Sequence, residues 1–443
     1  MRMEEIPSFL ISNGKKEGAT DIAVKFEEND ETMIRFSNNE ITVTKNWREK
    51  EVEIFVIAEK GRAETRTGIL STQNLRELIK RLVNTARTSP PAEVYAPLPT
   101  GPFEYDYSRL EPSKGAVPPE RLIGYVKKAI DSAREAGAEK VAGSLTFSIY
   151  KISVQTSGGV YAKEQGTNLE VSVRAFSSEL ASGHSVSIAR EEEGFDPALA
   201  GRQAGEIADK ALNPMEGQPG RYDVLLGPLV FADLISQLGE RASAFLIDAG
   251  QSFLADKIGS QIASKELTLH DDPILKGSYG LRIFDDEGVP TRRNTIVEKG
   301  KLKTYLHNST TAKKSGVETT GNAGLLVPTP WNLVIEPGNK KIEDILSTID
   351  RGIYITNSWY LRYQDYSKGD FSTIPRDGMF LIRNGELTNP VRNLRISDNI
   401  LRIFRNTARI SRERQWIKWW EVETPTLTPH ALVTDLNLSK STI

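Results

Sequence analysis

MIRFSNNEITVT, residues 33 to 44, places two β-prone runs on either side of Asn38-Asn39, a pair that tolerates the positive φ of a tight hairpin turn. The same signal returns in SVQTSGGVYAK, residues 153 to 163, with Ser157-Gly158 at the turn. A shift of 119 residues brings the two into register, and the match spreads outward from the turns without a gap. Gly18, Ala19 and Ile22 fall on Gly137, Ala138 and Val141, while Glu51, Val52, Ile54 and Val56 fall on Glu170, Val171, Val173 and Ala175. The first half of the chain therefore reads as a duplicated unit of helix, strands and helix.

Apolar spacing supplies the helices. Ile6, Phe9 and Leu10 in the first unit, and Leu122, Tyr125, Val126, Ala129 and Ile130 in the second, recur at three and four and make one buried stripe each. The trailing helices are QNLRELIKRLVNTAR (73 to 87) and LAGRQAGEIADKALN (199 to 213). Between the units, residues 87 to 120 are rich in proline and poor in periodicity, which predicts a linker wrapping the surface. NPMEGQPGRYD, 213 to 223, is a second break. The expected organisation is an N-terminal domain, residues 1–215, with units at about 5–87 and 120–213, followed by a β-rich C-terminal domain, 220–443.

That second half opens with a strand, YDVLLG (222 to 227), and a helix, PLVFADLISQLGERASAFL (228 to 246), whose Val230, Phe231, Leu234, Ile235, Leu238, Ala242 and Phe245 form one face. Asn-Gly in IRNGEL (382 to 387) and Gly300 in VEKGKLK (297 to 303) mark hairpins. A helix, KIEDILSTIDRG, is expected from 341, with Gly352 ending it. The fold class is α+β, the C-terminal half being a mixed, mostly antiparallel sheet or open barrel with a few helices.

Composition narrows the chemistry. With 38% hydrophobic and 26% charged residues in 443, and no apolar run of membrane length, the chain reads as globular with no membrane span. The charged start MRMEEIPSFLISNGKKEGA lacks the apolar core of a secretory signal, so the expected location is the cytoplasm. Absence of cysteine removes disulfides, thiolate ligands and thiol nucleophiles. A net charge of −2 gives no global attraction to nucleic acid.

FDDEGVPTRRNTIVEKGKLKTYLHN, 284 to 308, looks chemical because Asp285, Asp286 and Glu287 stand together before Gly288. Three consecutive side chains diverge, however, whereas a hard cation needs ligands that surround it, so the cluster reads as turn chemistry, with Pro290 setting an extended Val289 before a strand from Thr291 that alternates Arg292 and Arg293 between its faces. The four histidines, His184, His270, His307 and His430, are isolated, and none forms a pair of HExxH type. His270 with Asp271 and Asp272 is the nearest approach to a ligand group. No GxGxxG, GxxxxGK[ST] or GxSxG occurs. Residues 401 to 423 interleave arginines with Trp416, Trp419 and Trp420, a pattern that suits either buried packing or a nucleic-acid surface.

Five ordered segments then carry a resemblance: SFLADKIGSQIAS (252 to 264), FDDEGVPTRRNTIVEKGKLKTYL (284 to 306), TTGNAG (319 to 324), IEPGNKKIEDILSTIDRGIYIT (335 to 356) and DGMFLIRNGELTNPVRNLRISDNI (377 to 400). Together they resemble the TldD/PmbA family, long labelled modulators of DNA gyrase and understood as peptidase subunits. The resemblance runs over roughly residues 5 to 400, and the tail beyond about 405 falls outside it. It implies an assembly in which a TldD-type chain holds zinc on a helical HExxxH plus a distant cysteine, while a PmbA/TldE-type chain pairs with it to degrade unfolded or extended peptides in an enclosed cavity.

Laid on that pattern from Gly227-Pro228, the HExxxH slot falls on SQLGER, giving Ser236, Gln237 and Arg241 in place of the histidines and glutamate. None of these side chains is a zinc ligand or a carboxylate base, and the cysteine is missing too. The expectation is a PmbA/TldE-type subunit with no catalytic residue and no cofactor of its own, the zinc lying in a TldD-type partner; a homodimer is the other assembly this reading admits. Asp286, Gly288, Arg292 and Asn322 are the candidates for cavity wall or subunit contact. Two alternatives stand beside it: a self-sufficient metallopeptidase built on residues such as His270 and Asp271, and a nucleic-acid or DNA-enzyme binding module using the basic, tryptophan-rich tail.

Overall fold

A computed structural model of the chain describes residues 3–91, 93–110 and 115–441. The first unit runs α1 (Ile6–Lys16), β1 (Asp21–Ser37), β2 (Glu40–Ala58), β3 (Gly61–Thr67) and α2 (Thr72–Thr88). The second runs α3 (Pro119–Glu135), β4 (Lys140–Thr156), β5 (Tyr161–Ser178), β6 (Ala181–Ala189) and α4 (Pro197–Lys210). β4 is β1 moved by 119 residues, end for end.

These strands form one six-stranded sheet of order β3-β2-β1-β4-β5-β6, a palindrome of the two units. β1 and β4 are antiparallel neighbours, and Asp30 lies opposite Ile149, its own equivalent in the repeat. A strand paired antiparallel with its copy requires a local two-fold axis, here at Asp30 and Ile149. Asn38 and Asn39 adopt φ of 50° and 69° at the first hairpin; at the second, Gly159 rather than Ser157-Gly158 takes the positive φ, 85°.

Each unit's helices cover one face of the sheet. Leu75, Ile79, Leu82, Val83 and Ala86 of α2 meet Ile6 and Leu10 of α1 over Ile22, Val24 and Ile54, and each large apolar side chain so buried contributes roughly 1.5–3 kcal/mol. Ser71 starts α2, its side chain accepting from the Asn74 N–H. In the second unit α3 and α4 lie so close that a Cβ at Gly201 or Gly205 would stand 2.1 and 2.4 Å from the carbonyl oxygens of Ala129 and Ala133.

The remaining chain contributes β7 (Met215–Glu216), β8 (Gly220–Leu226), α5 (Pro228–Arg241), α6 (Ala244–Asp248), β9 (Leu269–Asp271), β10 (Asn294–Glu298), β11 (Lys301–Leu302), α7 (Ser309–Ser315) and β12 (Leu333–Ile335). After these come α8 (Ile342–Leu346), β13 (Arg351–Asp365), β14 (Asp370–Arg383), β15 (Glu386–Arg392), β16 (Leu394–Asn399), α9 (Ile400–Arg405), β17 (Thr407–Trp419) and β18 (Val422–Lys440). They build a twelve-stranded mixed sheet, β11-β10-β9-β12-β18-β8-β13-β14-β15-β7, with β16 and β17 also paired to β18. α5 sinks Val230, Phe231, Leu234, Ile235 and Leu238 into its core. The hairpins at Gly300 and at Asn384-Gly385 form as the sequence predicts, with φ of 79°, 48° and 80°. The whole is α+β, and no helix among the described residues is long and apolar enough to cross a membrane.

Four local expectations need correction. The helix from 228 does not continue to 246: Ser243 bridges Leu306 as a strand would, with Ala244 N–H donating to the Leu306 carbonyl, and this pulls the backbone out of the helix after Arg241. The helix near 341 ends at Leu346, and Gly352 belongs to β13, where it lies so near β8 that a Cβ would meet the Asp223 carbonyl oxygen at 2.4 Å. The strand expected from Thr291 begins at Asn294, so Arg292 and Arg293 precede it and do not alternate across it. The 87–120 segment does more than wrap the surface: Leu98 packs with Ala23, Phe55 and Leu325 between the six-stranded sheet and the C-terminal half, although residues 92 and 111–114 lie outside the described residues.

Candidate functional site

α5 follows β8 through Gly227, whose N–H donates to the Ile355 carbonyl, and its burial on nearly every side fixes the slot on its last turns. Ser236 is fully buried and donates from Oγ to Glu240 Oε1 at 3.2 Å. Gln237 is half-buried. Arg241 donates to the Gln251 carbonyl and lies over the rings of Tyr363 and Tyr366, 5.5 and 4.6 Å from their centroids. One turn earlier stands Asp233, 1% exposed, with neither carboxylate oxygen hydrogen-bonded. Burial pushes its carboxyl well above the usual range, and the nearby Glu421 and Glu240 push the same way.

This donor set does not fit zinc. A hydroxyl, a carboxamide and a guanidinium occupy the three positions, and burial disfavours the charged, ligating form of the adjoining carboxyl. No group of three or more His, Cys, Asp or Glu among the described residues is arranged to hold a metal ion.

The acids of the 284–308 stretch diverge into three structural tasks. Asp285 accepts from the N–H groups of Glu287, Val289 and Ala323 at 2.9 to 3.0 Å. Asp286 pairs with Arg282 at 2.6 Å and reaches across the seam to Lys25 of β1 at 3.3 Å. Glu287 holds the start of α7 by accepting from the Ser309 N–H and hydroxyl. Gly288, at φ 75°, faces Val160 of the second hairpin, and its carbonyl accepts from the Tyr105 hydroxyl.

Arg292 is exposed and bonds the Thr319 carbonyl, whereas Asn322 is fully buried, donating to Asp271 Oδ2 and the Thr329 carbonyl and accepting from Asn294. The four candidates thus occupy the seam, the surface and the core, and they do not converge. His270 is held by Thr295 and Glu336, and Asp271 by the Trp331 and Asn332 N–H groups and Asn322, so each is engaged within the fold by different partners. His307 is buried and bonded to Thr311.

In the tail, Arg402 pairs with Asp398 and Asp435, Arg414 donates to the Ile335 carbonyl, Lys418 meets Glu170, and Trp419 packs on Val186, Leu229 and Ala232. These basic groups have partners within the fold, whereas Arg405, Arg409 and Arg412 are exposed, and β17 is part of the sheet.

One constellation escapes sequence reasoning. Asp377, buried on β14, accepts from Arg174 Nη2 at 2.6 Å, Ser182 Oγ at 2.7 Å, Trp359 Nε1 at 3.0 Å and Asn357 Nδ2 at 3.1 Å. Burial opposes its charge, but Arg174 and His184 outweigh this and hold the carboxyl below its usual range. His184 lies beside Asn357 through Nδ1 and 2.9 Å from Ser172 Oγ through Nε2.

This has the outline of a serine–histidine relay, but the tautomer is wrong. Asn357 directs its NH₂ to Asp377 and its oxygen to the Ser358 N–H, so it donates to Nδ1; the proton assigned by this network sits on Nε2, which donates to Ser172 and cannot accept from it. Burial also lowers the ring to about 4. The hub clamps the second unit to the C-terminal sheet. Its one sequence signal is Asp377-Gly378, a turn pair inside a strand run.

Residues 219–440 match the family model described as the PmbA/TldA metallopeptidase C-terminal domain, which is half of the chain. The chain belongs to the PmbA/TldD family. A metalloprotease of Methanothermobacter thermautotrophicus is 32% identical over 212 residues, and the PmbA homolog of Buchnera aphidicola is 26% identical over 225. The match to the first covers 46% of each chain, so the chain spans about half the length of that relative in the alignment.

Among solved structures, a Thermotoga maritima protein named for modulation of a DNA gyrase superposes with a TM-score of 0.84 over 99% of this chain and 100% of its own, at 26% identity. TldE of Thermococcus kodakarensis, at 23% identity, shares the fold with a TM-score of 0.84 over 98% and 100% of the two chains. The PmbA/TldD match runs to residue 440 and so includes the tail that the five segments leave out beyond 405. The structural reason is plain: β18 lies between β12 and β8, in the middle of the family's sheet.

Proposed function

We propose that this chain is the metal-free subunit of a two-chain peptidase, combining with a TldD-type chain that supplies the zinc. The observation that carries the reading is the α5 face: Ser236, Gln237 and Arg241 at the slot, with the buried Asp233, whose charged form burial disfavours, beside them. Such a chain would contribute cavity wall, assembly surface and contacts to the substrate backbone. A suitable contact exists in β2, which β3 pairs only from Val52 to Ala58; residues 40–49 have no strand partner on that outer edge among the described residues. An extended peptide can add to such an edge through its backbone, a mode that tolerates many sequences and rejects folded chains.

Co-expression with a TldD-type chain, followed by cleavage of a denatured polypeptide, tests the reading. Cleavage is expected only with both chains, is abolished by a chelator, and comes with less than one zinc per copy of this chain when it is purified alone. Robust cleavage by this chain alone overturns it.

A further inference from the structure

β14 carries a bulge where it passes the second unit. Ile355 lies opposite Met379 and Asn357 opposite Arg376, so Thr356 alone faces both Asp377 and Gly378. Those two residues take φ of 56° and 107°, which Gly378 adopts freely and Asp377 less readily, and bulges of this kind are over-represented beside binding sites. The bulge sends Asp377 inward to the hub and sets Arg376 on the wall of a cavity of about 450 Å³. The guanidinium of Arg376 has no hydrogen bond or ion pair to another described residue. Rings hold it instead, since it lies 5.7 Å from the Trp359 centroid and 5.9 Å from that of Tyr360.

This stacking extends to both sides. Arg174 lies between Phe176 and Trp359, at 5.0 and 4.8 Å, and Arg362 lies 5.7 Å from Tyr360, giving an alternating row of rings and guanidinium groups. Three arginines, Arg174, Arg376 and Arg392, line the cavity with Asp377 and Glu179. Asp377 is engaged by Arg174, and Arg392 pairs with Glu216, which leaves Arg376 as the cavity arginine whose fork has no polar partner among the described residues, and Glu179 at the exposed edge. Ser182, Asn393 and Ser441 add polar groups, and an apolar part of the wall is formed by Ile374, Met379, Val391 and Leu394, with Leu180 at the rim 60% exposed. A planar cation fixed by stacking and left with free donors matches a carboxylate, and the apolar wall matches the side chain next to it.

We propose that this cavity binds the C-terminal carboxylate of an extended peptide, with Arg376 as the fork and the apolar wall receiving the last side chain. The inference rests on the peptide-handling role proposed above and adds the end of the substrate that this subunit holds. The test is fluorescence anisotropy on the full chain with an N-terminally labelled hexapeptide ending in leucine, its C-terminal amide, and an amide carrying an internal aspartate. The free acid is expected to bind at least about tenfold more tightly than either amide, the loss of one charge-assisted pair.

Arg376→Met should reduce binding of the acid to the level of its amide, and Arg376→Lys should restore part of it. Leu180→Glu, a change at an exposed position that leaves the fold intact, should weaken the acid and spare the amide. Equal binding of acid and amide, tight binding of the aspartate amide, absence of binding to the chain, or wild-type affinity in Arg376→Met each overturns the proposal. The cleavage assay is independent of it: acid-specific binding without cleavage by the two-chain mixture removes the partner-subunit reading and leaves the subsite standing.

Discussion

Asp233 and Asp285 are buried carboxyls in the same half of the chain, 1% and 0% exposed, and burial pushes both well above the usual carboxylate range. Their surroundings differ completely. Asp285 gathers three backbone N–H groups and so shapes a turn between β9 and β10, while Asp233 has no hydrogen bond among the described residues and lies near two other acids, which Arg362 only partly offsets. Burial alone therefore says little about the worth of an ionisable side chain. What it accepts decides whether it supports the fold or burdens it, and a burden kept on α5, where the resemblance aligns the zinc motif, fits a position shaped for something other than stability.

Substitutions should separate the two settings by sign. The largest loss is expected next to Asp285, at Asp286: Asp286→Ala would take from the buried Arg282 its closest carboxylate, leaving Glu164 at 4.0 Å, and from Lys25 one of three, leaving Glu27 and Glu53, and cost roughly 3–5 kcal/mol in urea unfolding. Asp285→Ala should cost about 2–3 kcal/mol, because Glu287, Val289 and Ala323 lose their acceptor. Asp233→Ala should instead raise stability by about 1 kcal/mol, since it removes an unsatisfied group and improves helix propensity. A destabilised Asp233→Ala would mean that the carboxyl has a structural partner and would erase the contrast.

Sequence reasoning reached what depends on local pattern and missed what depends on distant chain. The duplicated hairpin was legible because its signal lies within a few residues of Asn38 and repeats at Ser157, and the divergence of Asp285, Asp286 and Glu287 follows from their being consecutive. The end of α5 was not legible: Ala242 and Phe245 continue its apolar stripe, and only the bridge from Ser243 to Leu306 breaks the helix. Gly352 suits a helix end equally well until β8 is laid beside it. Arg174 and Asp377 are 203 residues apart, and neither carries a motif, so the hub and the free Arg376 fork emerge only once β6 packs on β14. A basic tail likewise reads as a surface until Lys418 finds Glu170 and Arg402 finds Asp435.

The smallest expected effect sharpens the comparison through pH. Burial, with the charge of Asp286 acting the same way, raises Glu287 to about 7, and burial raises Asp271 to about 7 as well. Between their ordinary values and 7 the folded chain holds protons that the unfolded chain has released, so their contribution is fully present at low pH and is lost as pH rises through 7. His184 and His430, lowered by burial to about 4, act oppositely: their contribution is present above the ordinary histidine value and is lost as pH falls through 4. The unfolding free energy should therefore rise from pH 4 to 6 on the histidines and be pulled down from pH 5 to 7.5 by the carboxyls. Glu287→Gln keeps an oxygen for the Ser309 N–H and hydroxyl but cannot titrate, so its decline between pH 5 and 7.5 should be shallower than that of the parent. An unchanged slope would show that Glu287, though buried, is already charged in the fold and belongs with the carboxylates that its neighbours stabilise.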